Sequence, residues 1–352
     1  MHEIPEVKFF ITGRPEPPIR EGFRLKSLRP ITDVLVLHDV KRSSVDEDIK
    51  LYLRIYLTDI REKRSDCEFP EEWPSDYDIN ILCKKADGLF IYALTVVKFV
   101  ASKYHLPTDR LDLIIERSLG AAHEGGVDRL YTQILGLAFQ DADPGEQELY
   151  SRFRNVVGAV LLASRPLSRK ALSNLLRNCG TPSHISASLH FLHSVLNVPD
   201  SEDQPIRVFH KSFPDFLTDR TRCKDEQFFV DPAVHHEDIT FSCLALMKKQ
   251  LKKNICDLDD YAVLSEINDL SARRERYIGS PLEYACQFWT RHLAKVPGDE
   301  PQRVKLVKES IDEFFAKRLL YWIEVLSIAG HLGVAVYAIN DIRQWHISVS
   351  CT

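Results

Sequence analysis

The chain has no C-x-x-C pair among its eight cysteines, no internal repeat, no low-complexity tract and no excess of positive charge. Each absence removes a class of protein. Cys67, Cys83, Cys179, Cys223, Cys243, Cys256, Cys286 and Cys351 are scattered through 352 residues and read as reduced thiols of a reducing compartment. Forty-six basic against 51 acidic residues give a formal charge of −5, which argues against gripping nucleic acid through bulk positive charge. The opening MHEIPEVKFF lacks the basic start and apolar core of a secretion signal, so a cytoplasmic location is expected. What is present is an ordinary globular composition, 44% hydrophobic and 28% charged, long enough for two or three domains.

Two apolar runs bear on a membrane. Residues 88–101 are apolar nearly all round but short, and Lys98 interrupts them, as in a buried core helix. Residues 319–339 are long enough to span but contain Glu324 and His331, which are costly in lipid. They read as a buried helix or helical hairpin broken near Gly330 and Gly333, and no membrane partner is expected.

Along the chain, KFFIT gives a strand at 7–12, and ITDVLVLHDV gives a second at 34–37. Strands this apolar belong to the middle of a covered sheet, so the sheet looks incomplete. Helices are predicted at 44–64, 76–86, 88–104, 108–118 and 126–140, forming a helical subdomain over 45–140. After DADPGEQ (141–147), helices at 148–163, 171–176 and 183–196 precede two short strands around 195–199 and 206–210, with another helix from 211. Three helices and a two-stranded wing make a winged-helix arrangement over 141–225. The remainder, 226–352, is helical, with LEYACQFWTRHLA its most amphipathic piece.

Several side chains invite a chemical reading. His190 and His193 lie at i, i+3, and His235–His236 precede Glu237 and Asp238. Zinc needs three or four converging ligands, and no such set is evident, so no metal is expected and HHED reads as a helix cap. No G-x-S-x-G or Cys–His signature supports a hydrolase. His210 and Ser212 are two apart on a strand-to-helix turn, which is not a recognisable nucleophile–base pair. The third helix of the winged unit carries no Arg or Lys near 183–195, so it has little to offer phosphates or guanine edges, and no nucleic-acid partner is expected.

Taken in order, FFITGRPEP (9–17), WPSDYDINILCKKADGLFIYALTVVKFV (73–100), PLSRKALSNLL (166–176) and IRVFHKSFPDFLTD (206–219) resemble the NACHT module of STAND-class signalling NTPases, most closely the NLR-like fungal set. The resemblance covers most of the chain and rests on the order of its words as much as on the words. It implies a mostly α fold: a two-stranded remnant of a parallel α/β P-loop sheet at 1–44, the helical subdomain, a winged helix with a small β-hairpin, and the C-terminal helical region. By the same resemblance Arg14 corresponds to the sensor of the nucleotide's terminal phosphate, a permanently charged fork suited to phosphate oxygens. Gly88 and Phe90 fall on the adenine side of the ligand, and His210 falls where the winged helix touches the β-phosphate of ADP. Read from the residues alone, Arg14 is equally a surface ion-pair partner, Gly88 a break between helices and His210 a histidine buried at a strand end.

The sequence departs from the family where the chemistry is concentrated. Neither the phosphate loop G-x-x-x-x-G-K-[ST] nor an acidic Walker B strand is present. Both belong upstream of KFFIT. The chain is therefore expected to be a truncated product or fragment, or to receive its missing half from another polypeptide. It is not expected to act as an enzyme, and no cofactor is expected for it alone, although intact relatives hold ADP or ATP with Mg²⁺. The expected role is a regulatory remnant of a nucleotide-sensing signalling module with protein partners. The other reading is a helical interaction scaffold with no nucleotide role.

Overall fold

The computed structural model describes residues 8–13, 16–35, 40–116, 126–140, 146–259 and 263–349. The chain divides into two compact units, 1–48 and 49–352. In the first, helix α1 (Pro17–Phe23) and a 3₁₀ turn at Arg29–Ile31 are the regular elements described. Residues 8–12 and 34–35, predicted as strand, form none. Phe9 and Phe10 are 83% and 91% exposed, and Val34 and Leu35 are open as well. A strand exists only through ladder hydrogen bonds to a neighbour and a face to cover it. No described residue supplies either, so β propensity alone leaves these segments irregular. Val7 and residues 36–37 lie outside the described residues.

Helix α2 (Arg42–Lys63) crosses the boundary between the units; Ile49, Leu53, Leu57 and Ile60 give it one buried stripe at helical spacing. In the second unit α3 (Asp76–Ala86) starts at a capping box. Ser75 Oγ accepts from the Asp78 N–H at 3.1 Å, and the Asp78 carboxylate accepts from the Ser75 N–H at 3.0 Å. It stops at two left-handed residues, Asp87 (φ 47°) and Gly88 (φ 73°). Helix α4 (Phe90–Val100) follows, buried along most of its length, then α5 (Pro107–Glu116) and α6 (Val127–Ala138).

Helix α7 (Gln147–Leu162) leads to α8 (Arg169–Leu175), capped by Ser168, and α9 (Pro182–Leu189), capped by Thr181 with proline at its first position. Strands β1 (Leu196–Asn197) and β2 (Arg207–Val208) pair antiparallel, Leu196 opposite Val208. The chain entering α8 extends this hairpin: the Ile206 N–H donates to the Leu167 carbonyl at 3.0 Å, and Ser168 bridges Pro205. The Arg169 guanidinium ties the hairpin turn down through the carbonyls of Pro199 (3.0 Å) and Asp200 (2.5 Å). The described strands are these two; the chain is otherwise mostly helical.

Helix α10 (Ser212–Leu217) is followed by α11 (Pro232–Gln250), α12 (Leu270–Tyr277), α13 (Gly279–Leu293), α14 (Pro301–Lys317), α15 (Leu319–Ile328) and α16 (Val334–Ser348). Helices α11 and α13 pack face to face at the centre, with α7, α8, α14, α15 and α16 around them. Trp289, Phe314 and Trp322 fill the core beside them, with ring centroids 5.1–6.4 Å apart. The run 319–339 divides into α15 and the start of α16 with the break at Gly330, whose φ is +75°, but it is not buried throughout: Leu320, Val336, Tyr337 and Ile339 are exposed. No described helix is long and apolar enough to cross a membrane.

HHED is not a cap. Asp231 caps α11, its carboxylate accepting from the Ala233 N–H at 2.9 Å, while His235 and His236 lie one turn in and are buried. The His235 ring fills the space over Gly158 of α7, where a Cβ would come within 2.7 Å of it. The seven described cysteines are free thiols.

Candidate functional site

Of the four residues singled out, Arg14 lies outside the described residues. Gly88 holds the left-handed turn between α3 and α4, a conformation that costs glycine nothing. Phe90 opens α4, half-exposed, with its ring edge-on to Tyr52 of α2 at 6.0 Å. Tyr52 in turn lies 4.4 Å from Tyr56. These rings form a partly open aromatic surface at the N-terminal end of α4.

His210 follows β2 at the entry to α10. The Ser212 N–H donates to its Nδ1 at 3.1 Å, and the Ser212 hydroxyl is 2.8 Å from the same nitrogen. Because a backbone N–H can only donate, Nδ1 is the acceptor. The neutral ring therefore carries its proton on Nε2 and presents a donor there. Ser212 Oγ also meets the hydroxyl of Tyr131 on α6 at 2.7 Å, and that hydroxyl has Thr95 of α4 beside it. Burial raises the Tyr131 phenol above its ordinary range, and its ring packs on Phe213 and Phe216 of α10 at 5.1 and 5.6 Å.

Two more contacts join the same elements. Arg222, just beyond α10, grips the Asp128 carboxylate of α6 with two nitrogens at 2.8 and 2.5 Å. Lys98 of α4 places its ammonium 4.0 Å from the centre of the Phe209 ring, next to His210. Helix α4 thus touches both groups of candidate residues. Phe90 and Lys98 are eight residues apart, about 12 Å of helix rise, so Gly88 and Phe90 sit at one end and His210 near the other.

Sequence reading finds His210 but not its partners. Tyr131 is 81 residues from Ser212, and nothing local marks it. The spacing His-x-Ser does signal the nearer bond. Ser212 is buried and its oxygen is shared with Tyr131. Among the described residues no cluster of three His, Cys, Asp or Glu side chains is arranged to hold a metal. One small cavity, about 20 Å³, lies between α7 and α11 against Asn155, Cys179, His235 and Asp238, room for about one water.

The chain matches no protein-family model, no curated protein and no solved structure.

Proposed function

We propose that this chain is the regulatory part of a NACHT/STAND-type signalling module, and that residues 141–225 act as its winged helix. What carries the reading is the hydrogen-bonded join of His210, Ser212 and Tyr131 where the hairpin meets the helical subdomain, a site at which an imidazole could exchange its present partner for a ligand. A donor there suits a nucleotide phosphate, and the aromatic surface at Phe90 suits a base. Helix α4 runs between the two, which supports a single extended ligand. The order of α7, α8, α9, the hairpin and α10 supports the winged-helix assignment.

In this reading the winged unit reports nucleotide state by closing on or swinging away from the helical subdomain, and the change exposes a surface for a protein partner. Arg14 is the terminal-phosphate sensor. Hydrolysis is left to elements this sequence does not contain. The test is calorimetric titration of ADP and of Mg-ATP into the purified chain, with Arg14→Ala and His210→Ala alongside. Micromolar binding weakened by both substitutions supports the switch. A folded sample with no heat of binding leaves the other reading, an interaction scaffold, which the open side chains of Leu51, Ile55 and Tyr56 on α2 favour.

A further inference from the structure

We infer that the surface around Phe288 on α13 docks an acidic protein segment. Three guanidiniums and one imidazole gather there from four parts of the fold. Arg165, in the turn before α8, lies with its guanidinium 5.8 Å from the Phe288 ring centre, and Arg291, one turn further along α13, lies 5.2 Å from it. Arg165 also reaches Glu283 at 3.4 Å. The same carboxylate takes Arg274 of α12 at 2.9 Å and faces His331, between α15 and α16, at 3.8 Å. Two guanidiniums, Arg165 and Arg274, therefore share one carboxylate, while Arg291 stands at the ring with no carboxylate paired to it among the described residues. Asp341, another acid reaching α13, accepts from Thr290 at 3.1 Å.

The cluster is held in place from below. Ser164, which precedes Arg165, donates its N–H to the buried Tyr284 hydroxyl at 2.9 Å, and Pro166 restricts the residue before it. Arg165 thus leaves a fixed backbone, so a ligand meets cations already ordered, which lowers the entropic cost of binding. The guanidiniums stay accessible: the Arg165 and Arg274 side chains are 36% and 35% exposed. Phe288, beside Arg165 and Arg291, is half-buried and gives the patch an apolar floor.

That layout selects the partner's chemistry. A phosphodiester strand wants a row of cations along a groove. Here they converge on one ring and one carboxylate, in a chain of net charge −5. Carboxylate side chains flanking an apolar or aromatic one match it: acids to the guanidiniums, the apolar group to Phe288. A nucleotide plays no part in this contact.

The experiment is fluorescence anisotropy with a labelled Asp-Glu-Tyr-Asp-Glu-Tyr peptide on the full chain at low salt. Saturable binding is expected, lost when salt rises from about 0.05 M to about 0.5 M. Arg291→Glu, at an exposed position, should weaken it about ten-fold or more. Lys305→Glu on α14 makes the same charge change elsewhere and should alter it less than about two-fold. Circular dichroism of both variants shows that they fold. No saturable binding, equal weakening by the two variants, or a preference for a short DNA duplex over the peptide would each overturn the assignment.

Discussion

His236 of α11 and His292 of α13 face each other Nδ1 to Nδ1 at 2.8 Å inside the core. The Ser164 N–H donates to Tyr284 Oη, and that hydroxyl lies 2.8 Å from His292 Nε2, with Ser164 Oγ 3.4 Å from the same nitrogen. With both rings neutral, one Nδ1 carries the proton that lies between them and the other accepts it. A second proton between the two Nδ1 atoms would set two donors nose to nose.

Acid should therefore unfold the protein early. Burial lowers His235 and His236 to about 4 and His292 to about 3. The charges nearby do little to offset this. Lys295 pushes His236 and His292 further down, and at His235 the opposed effects of Asp231 and Arg154 leave burial dominant. An unfolded histidine titrates near 6.5, so between about pH 6.5 and pH 4 the unfolded chain binds more protons than the folded one. Stability is whole above that window and falls as pH drops through it, by about 1.4 kcal/mol per unit of depression for each ring. Urea midpoints measured from pH 7.5 to 4.5 should decline steeply, and less steeply in His235→Gln. A flat profile would contradict the buried neutral assignment.

Gly158→Ala should destabilise the chain, although alanine favours a helix over glycine by about 1 kcal/mol. The added methyl would meet the His235 ring at 2.7 Å, and that ring is packed between α7 and α11. Overpacking of this kind costs about 1–3 kcal/mol. Thermal melts should show a lower midpoint. A rise would mean that the ring moves aside freely.

Tyr131→Phe keeps the aromatic packing on Phe213 and Phe216 and removes only the hydroxyl that meets Ser212. It should cost about 1–2 kcal/mol, the usual cost of losing a buried hydrogen bond with one partner left behind. The double variant with Ser212→Ala should cost less than the sum of the two singles. Additive losses would show that the two hydroxyls are not coupled.

Ser75→Ala should cost about 1 kcal/mol through loss of the capping box on α3. Hydrogen exchange at the first-turn amides of α3 should quicken in step, while α7 and α13 stay unchanged.

The contrast between α3 and the KFFIT segment shows what local sequence can specify. Ser75, Asp78 and Gly88 mark both ends of α3 by short-range bonds and turn conformations, and the predicted 76–86 matches the observed helix. Likewise the β1–β2 hairpin is legible because its strands sit on either side of one turn. KFFIT is as apolar as any core strand, but a strand is a property of two segments, and no described segment pairs with it. HHED fails as a cap for a related reason. Its burial is decided by Gly158, 77 residues away in sequence, and by His292, 56 away. The same distance hides Tyr131 from any reading that begins at His210, and Arg165 from any that begins at Phe288.

Amide hydrogen exchange with and without ADP tests nucleotide sensing most directly. ADP should slow exchange at 207–217 and along α4 and α6, and His210→Ala should abolish that protection while the free protein keeps its pattern. Unchanged exchange throughout this region at saturating ADP would contradict a nucleotide role and leave the chain as a helical interaction scaffold.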